Sequence, residues 1–445
     1  LTRSLRVAVF VYEFPALSET FVLNQITGLI DLGHDVTILA ERPRPESRVH
    51  PDIDRYGLGD RVRYPGFPAS RFKRVLRAVY LFLRHGRRHG RMLRRCLDRG
   101  RYGRDAVSLT LFYWALRLAE EPAFDVVLCH FGPNGQFATK LRDVGALSGQ
   151  IATVFHGVDI SAYLRVWPDY YDFLFSHGDL FLPISGLWKR KLSDLGCDPG
   201  RIMLHRMGVD AERYAFRPRQ FPSDRPVRIL SVGRMIEKKG IGYGLQATAE
   251  LARKDVAFRY DIVGDGPLRG DLERLVEELG LTPFVHFHGW QDQRAVSKLI
   301  AGSDILLAPS VTSSNGDKEG IPVTIMEAMA SGALVVSTYH SGIPELVEHE
   351  RSGLLVPERD VNALSAALFR LVRFPDDWPG LSYAARRKVL AGFEVTALNR
   401  RLSDLLIRLA EDKPADPAAA RTGTRNPHSV PAAPQYVHRS RLFTD

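Results

Sequence analysis

Glu319 and Glu327 are separated by seven residues in Glu319-Gly320-Ile321-Pro322-Val323-Thr324-Ile325-Met326-Glu327, and their surroundings suit a diphosphate and a diol. The polar stretch Ser313-Ser314-Asn315-Gly316-Asp317-Lys318 reads as a loop. Pro322 suits the first turn of a helix, where its missing N–H had no partner. Free N–H groups at such a helix start attract an anion. Glu327 falls about one and a half turns into that helix, where it can accept hydrogen bonds from a ribose diol. Two cations stand upstream: Arg234 directly after Gly233, at the end of the apolar run Ile229-Leu230-Ser231-Val232, and Lys239 before Gly240. Val263-Gly264-Asp265-Gly266-Pro267 and Ala308-Pro309-Ser310 close two more apolar runs in the same way.

The first half of the chain has its own strand-end residues. His156-Gly157 follows Thr153-Val154-Phe155, with Asp159 placed to orient that loop or cap the next helix, and His130 ends another apolar run. Ser18, Glu19 and Thr20 precede a helical pattern, where Ser and Thr also serve as ordinary caps. Each signal alone has a plain structural reading. Two glutamates at this spacing occur by chance in many helices, a lone Arg234 reads as a surface ion pair, and a lone strand-end histidine is more often structural.

The elements that would hold these residues alternate strand and helix. Val7 to Val11, Thr20 to Leu32 and Val36 to Ala40 read as strand, helix, strand, followed by strands over Asp125 to Cys129, Ile151 to Phe155 and Leu180 to Ile184. A second α/β unit follows the Pro-rich Arg217 to Pro226, with later strands at Arg259 to Val263, Val285 to Phe287, Ile305 to Ala308 and Leu334 to Ser337. The organisation expected is an amino-terminal Rossmann-like domain over 1–216, with the basic insertion at 71–104, and a carboxy-terminal Rossmann-like domain over 217–392. A helix over 393–412 would pack back toward the first domain, and a tail over 413–445 would be disordered. Ligands of open α/β sheets lie beyond the carboxyl ends of strands, so the cleft between the two units is the expected site.

Charge is concentrated in one place. Residues 71–104 hold thirteen Arg or Lys and one acid, Asp98, a local excess larger than the net +10 of the whole chain. Phe72, Val75, Leu76, Val79, Tyr80 and Leu83 recur there at helical spacing, which predicts a basic amphipathic helix. Such a helix suits an anionic membrane surface; docking on its own domain is the structural alternative, and no nucleic-acid motif accompanies the charge. Cys96, Cys129 and Cys197 lie far apart without metal-ligand spacing, so neither a disulfide framework nor a zinc site is expected. No apolar run reaches the ~18 residues of a membrane span. With no signal-peptide pattern seen, the protein is expected in the cytoplasm, peripheral at the inner face of the plasma membrane.

Taken together and in order, the segments around Gly233, Lys239, Gly264, Ala308, Glu319 and Glu327 resemble the GT4 family of retaining glycosyltransferases, over roughly residues 5 to 410. Phe14 to Gln25 replaces the Gly-Gly loop seen after the first strand in many members and is similar to the version in exopolysaccharide and colanic-acid-type transferases. The resemblance implies a GT-B architecture, two Rossmann-like domains facing a central cleft, and transfer of a hexose from a UDP- or GDP-sugar. Glu319 would contact hydroxyls of the donor sugar and Glu327 the ribose, while Arg234 and Lys239 neutralise the diphosphate. Gly233, Gly264, Gly320, Ile321 and Pro322 would complete the donor site. His156 would meet the sugar at its 6-hydroxyl, and Ser18, Glu19 and Thr20 would face the phosphates or the acceptor.

The leaving group is then a nucleoside diphosphate whose developing charge the cations stabilise, without a metal or cofactor; the nucleotide-sugar is a co-substrate. The implied acceptor is a glycan or a polyprenyl-diphosphate-linked glycan in cell-surface polysaccharide assembly. A catalytically silent nucleotide-sugar-binding subunit and an epimerase of the same fold are the competing readings. A nicotinamide dehydrogenase would need G-x-G-x-x-G where Val11 is followed by Tyr12-Glu13-Phe14-Pro15.

Overall fold

A computed structural model describes residues 3–16, 20–44 and 50–412. Ser18, Glu19 and the 413–445 segment lie outside the described residues.

Runs that are apolar on both faces suit the centre of parallel sheets covered by helices, and this chain builds two. The first holds β1 (Arg6–Phe14), β2 (Asp35–Pro43), β3 (Val62–Arg63), β4 (Val126–His130), β5 (Gln150–Phe155) and β6 (Leu180–Pro183), in the order β3-β2-β1-β4-β5-β6. The second holds β7 (Val227–Val232), β8 (Phe258–Val263), β9 (Val285–Gly289), β10 (Ile305–Ala308), β11 (Leu334–Thr338) and β12 (Leu354–Val356), in the order β12-β11-β10-β7-β8-β9. All pairings are parallel; Val9, for example, lies opposite Ile38 on one side and Leu128 on the other. Chain order reverses between β1 and β4 and between β7 and β10, so each sheet has a switch point where strand-end loops splay to leave a crevice. The short β3 and β12, two and three residues long, carry too little pattern to be read from sequence.

Two segments cross between the units side by side. Val209 N–H donates to Phe393 O at 2.9 Å, and Val395 N–H donates to Val209 O at 3.1 Å. Val209, Ala211 and Tyr214 already pack in the core of the second unit, so the passage between units comes earlier than the Pro-rich 217–226. The final helix, Val395–Glu411, lies on the first unit. Leu402 and Leu406 enter its core, Asn399 Nδ2 donates to Asn24 O at 3.0 Å, and His34 Nε2 meets Ser403 Oγ at 2.7 Å.

The basic segment forms one helix over Arg71–Arg95, about twice the length that its apolar periodicity marks out. Among the described residues no helix is long and apolar enough to cross a membrane.

Candidate active site

The carboxyl end of β7 runs into Gly233-Arg234, and that of β8 into Gly264, whose φ of +126° and close approach leave no room for a side chain. A Cβ on Gly264 would lie 2.0 Å from Gly233 O, so these two loops touch backbone to backbone. A short turn over Glu237–Lys239 then carries two adjacent lysines toward the loop before Pro322. Lys239 Nζ lies 3.2 Å from Glu319 Oε1, and Lys238 Nζ lies 2.9 Å from Asp317 Oδ2 and 3.8 Å from Glu319 Oε1. Burial alone would raise the Glu319 carboxyl, but the Lys239 and Lys238 ammoniums outweigh it and hold it below the usual range. Burial would likewise lower Lys238, and Glu319 and Asp317 reverse that. Arg234 is half-buried and close enough to Lys238 to oppose its charge. Half-buried ion clusters add little net stability, because desolvation offsets their attraction.

Glu319 is also held through its backbone. Its N–H donates to His340 Nε2 at 3.0 Å, which leaves Nδ1 of that ring to donate to Glu358 Oε1 at 2.6 Å. Glu358 in turn accepts from Thr312 N–H at 2.7 Å. The relay joins the ends of β10, β11 and β12 beneath the Glu319-Gly320 turn. Pro322 stands as the cap of helix Val323–Ser331 rather than inside its first turn. Lys239, Pro322, Thr324 and Ser310 line a small recess over that helix start. Glu327, further along and buried, accepts from Tyr214 O–H at 2.8 Å; burial pushes its carboxyl up to about 7, against the pull of that hydrogen bond.

The first unit meets this cluster at β5. A Cβ on Gly320 would sit 2.5 Å from His156 O, and one on Gly157 would sit 3.2 Å from Lys318 O, so the His156-Gly157 loop and the Glu319-Gly320 loop are in backbone contact. Ile321 is buried beneath, against Gly342. Asp159 clamps the histidine loop: its carboxylate accepts from His156 N–H at 3.1 Å, Gly157 N–H at 2.9 Å and Gly132 N–H at 2.9 Å. Burial raises that carboxyl to about 6 even against these donors.

His156 Nε2 lies 3.1 Å from His130 Nδ1, and its ring packs against Phe131 and Phe21 at 4.4 and 4.8 Å. Burial pushes His130 down to about 3 and His156 well below the ordinary value, with neighbouring His130 and His205 adding to the effect. Both rings are therefore neutral at pH 7 and act as hydrogen-bonding groups. Thr20 opens the helix Thr20–Asp31, whose next residue, Phe21, is the one on His156.

Lys239, Glu319, Gly320 and His156 thus come together, Gly233 and Gly264 support them from below, and Glu327 lies deeper with Tyr214. The residues not singled out from sequence are Lys238, Asp317, Tyr214, His340 and Glu358. The Lys238-Lys239 doublet and Asp317, in the polar loop just before Glu319, were usable signals; Tyr214, His340 and Glu358 lie far apart along the chain and belong to no local pattern.

Comparison with known proteins bears on the family and the fold. The family description "Glycosyltransferase Family 4" matches residues 18–213, and "Glycosyl transferases group 1" matches 226–373. The chain is 41% identical over 406 residues to the putative colanic acid biosynthesis glycosyltransferase WcaL of Escherichia coli (strain K12), covering 90% of this chain and 99% of that one. It is 39% identical over 412 residues to the amylovoran biosynthesis glycosyltransferase AmsK of Erwinia amylovora, covering 91% and 100%. Among solved structures, Anabaena HepE in complex with UDP superposes with a TM-score of 0.64 at 16% identity, covering 90% of this chain and 99% of that one. Sucrose-phosphate synthase of Thermosynechococcus elongatus superposes with a TM-score of 0.67 at 19% identity, covering 92% and 100%. The fold shared with them is the GT-B arrangement of two Rossmann-like domains.

Proposed function

The chain belongs to glycosyltransferase family 4, and from that premise we propose a retaining hexosyltransferase that uses a UDP- or GDP-hexose and acts in exopolysaccharide assembly. The observation that carries this reading is the backbone contact between the His156 loop of one domain and the Glu319-Gly320 loop of the other, with Lys238 and Lys239 beside it. A donor in the crevice would set its diphosphate against Arg234, Lys239 and the start of helix Val323–Ser331. Its ribose would lie on Glu327 and its hexose between Glu319 and His156. Cations and helix N–H groups would then stabilise the diphosphate as the glycosidic bond breaks. The acceptor hydroxyl would attack from the face that the diphosphate leaves, giving its proton to a phosphate oxygen, without a metal or cofactor. Trapping of a glycosyl-enzyme adduct by mass spectrometry would replace this with a double displacement.

WcaL and AmsK are named for colanic acid and amylovoran biosynthesis, which supports a glycan or polyprenyl-diphosphate-linked glycan as acceptor. The enzyme would then work at the cytoplasmic face of the plasma membrane, in contact with it through residues 71–104. The test is thermal stabilisation by a panel of UDP- and GDP-hexoses, comparing the natural protein with Glu327→Ala, followed by turnover on membrane extracts. A ligand at ~100 times its Kd adds about 2.7 kcal/mol to native stability. A shift with one nucleotide class that the variant loses identifies the donor base. A shift without transfer to any glycan moves the reading to a silent binding subunit, and no shift removes it.

A further inference from the structure

Sixteen large apolar side chains are exposed among the described residues, and six of them, Phe72, Val75, Leu76, Val79, Tyr80 and Leu83, share three turns of the helix Arg71–Arg95. Phe72 and Leu83, at the two ends of that row, are 72% and 77% exposed. Their spacing places them on one face of the helix. The helix meets its own domain by another face: Ala78 and Leu93 are buried, and Leu81, Phe82 and Met92 are half-buried. Tyr113 O–H donates to Arg74 O at 2.7 Å, and the Arg74 guanidinium donates to Pro68 O at 3.0 Å and Ser108 O at 3.1 Å. The apolar row is therefore held outward by a fixed element, and among the described residues docking on the domain leaves it uncovered.

The charge on this helix says what covers the row. Its 25 residues include ten Arg or Lys and no acid. Past Leu83 the exposed side turns basic, with Arg84, Arg87, Arg88, Arg91 and Arg94 all exposed. Among the described residues the helix has two ion pairs with carboxylates, both long: Arg88 with Glu120 at 3.8 Å and Arg95 with Asp143 at 4.0 Å. A second copy of the chain would bring ten more positive charges against the first ten. A nucleic acid would engage the arginines and leave the apolar row in water. A surface that offers both an apolar layer and a layer of negative charge, at depths that a helix in its plane can reach, is an anionic bilayer.

We infer that the helix Arg71–Arg95 docks this protein on anionic membrane, with the Phe72 to Leu83 row in the headgroup and acyl boundary and the arginines after it among lipid phosphates. At ~1.5 Å per residue it covers about 37 Å of membrane plane. The inference deepens the proposed function, since a lipid-linked acceptor would be presented from the same surface, but the docking itself depends only on this face.

The test is flotation of the full chain with vesicles of phosphatidylglycerol and phosphatidylcholine in equal parts, against phosphatidylcholine alone. It is run on the natural protein, on Leu76→Glu with Leu83→Glu, and on Arg87→Glu with Arg91→Glu. These side chains are exposed, so the thermal midpoint should hold in both variants, and each preparation is also scored for stabilisation by UDP and GDP. Expected are binding to the anionic vesicles only, a loss of about fivefold per charge removed in the arginine variant, and at least a tenfold loss in the leucine variant. Raising salt from ~0.1 to ~0.5 M should weaken binding of the natural protein. Equal binding to neutral vesicles, or binding unchanged in both variants, overturns the inference. So does a protein that ignores vesicles and instead dimerises, retains an oligonucleotide or captures an acidic protein through this face. Vesicle binding without any nucleotide response would leave the docking face standing and count against the transferase chemistry, so the two readings can fail separately.

Discussion

The carboxy-terminal wall of the cleft pairs Lys238 with Asp317 and Glu319 and Lys239 with Glu319, whereas the facing wall offers His130 and His156, both kept neutral by burial among Phe21 and Phe131. The charged wall is built on the turn after β7 and the long loop between β10 and the helix Val323–Ser331, and is tied down by the His340–Glu358 relay. The neutral wall is held by one carboxylate, Asp159, gathering three backbone N–H groups. In the proposed donor pose the lysines of the first wall would meet the departing diphosphate, which needs countercharge, and His156 of the second wall, across from Glu319, would offer the hexose a fixed hydrogen-bonding group in a dry setting. On that proposal the two walls separate the binding of charge from the orientation of the sugar.

The largest effects should come from the charged wall. Glu319→Gln and Lys239→Ala are each expected to lower turnover about 10²- to 10³-fold. Each should also lower the melting temperature, because removing one member leaves a partly buried charge uncompensated. If the Lys239 variant keeps full turnover, the division between the walls is wrong.

His156→Ala comes next. Turnover should drop by about 10²-fold, while titration calorimetry with UDP or GDP finds the affinity for the nucleotide unchanged. An equal loss of nucleotide affinity would erase the distinction between the walls.

His340→Leu should cost about tenfold, the worth of one buried hydrogen bond. The loss should fall on binding of the intact nucleotide-sugar and spare the free nucleoside diphosphate, since His340 holds the turn that carries Glu319. His340→Gln, which keeps an acceptor, should recover part of it.

The smallest effect concerns Glu327. Its folded pKa of about 7 lies above the ordinary 4.5, so between those values the folded protein holds a proton that the unfolded chain has lost. The stability associated with this group is fully present below about pH 4.5 and is lost as pH rises through 7. Glu327→Gln should remove that slope from melting temperatures measured across this range, and a slope identical in both proteins would show that Glu327 is ionised well below pH 7.

Much of this was legible in the chain itself. Strand runs such as Val7 to Val11 and Ile305 to Ala308 are apolar on both faces, as the strands of a covered parallel sheet are, and Gly233-Arg234, Gly264 and Glu319 to Glu327 follow such runs or open a helix. Local order was enough there because strand ends and helix starts are set by near neighbours.

Lys238, Tyr214, His340 and Glu358 owe their places to contacts between distant segments. Glu358 lies 18 residues beyond His340, and Tyr214 lies 113 before Glu327. The basic helix shows the same division at a larger scale. Its amphipathic pattern was plain in sequence, but a pattern of spacing marks two faces without saying which one the protein covers. Packing settled that: Ala78 and Leu93 are small or well fitted enough to seat against the domain, and the larger Phe72 to Leu83 row was left facing out. The sequence by itself determined most of the elements, the residue types at the strand ends and the family. The tertiary structure decided which side chains share a charge, which histidines stay neutral and which apolar face remains exposed, because each of these depends on desolvation and contact between residues far apart in the chain.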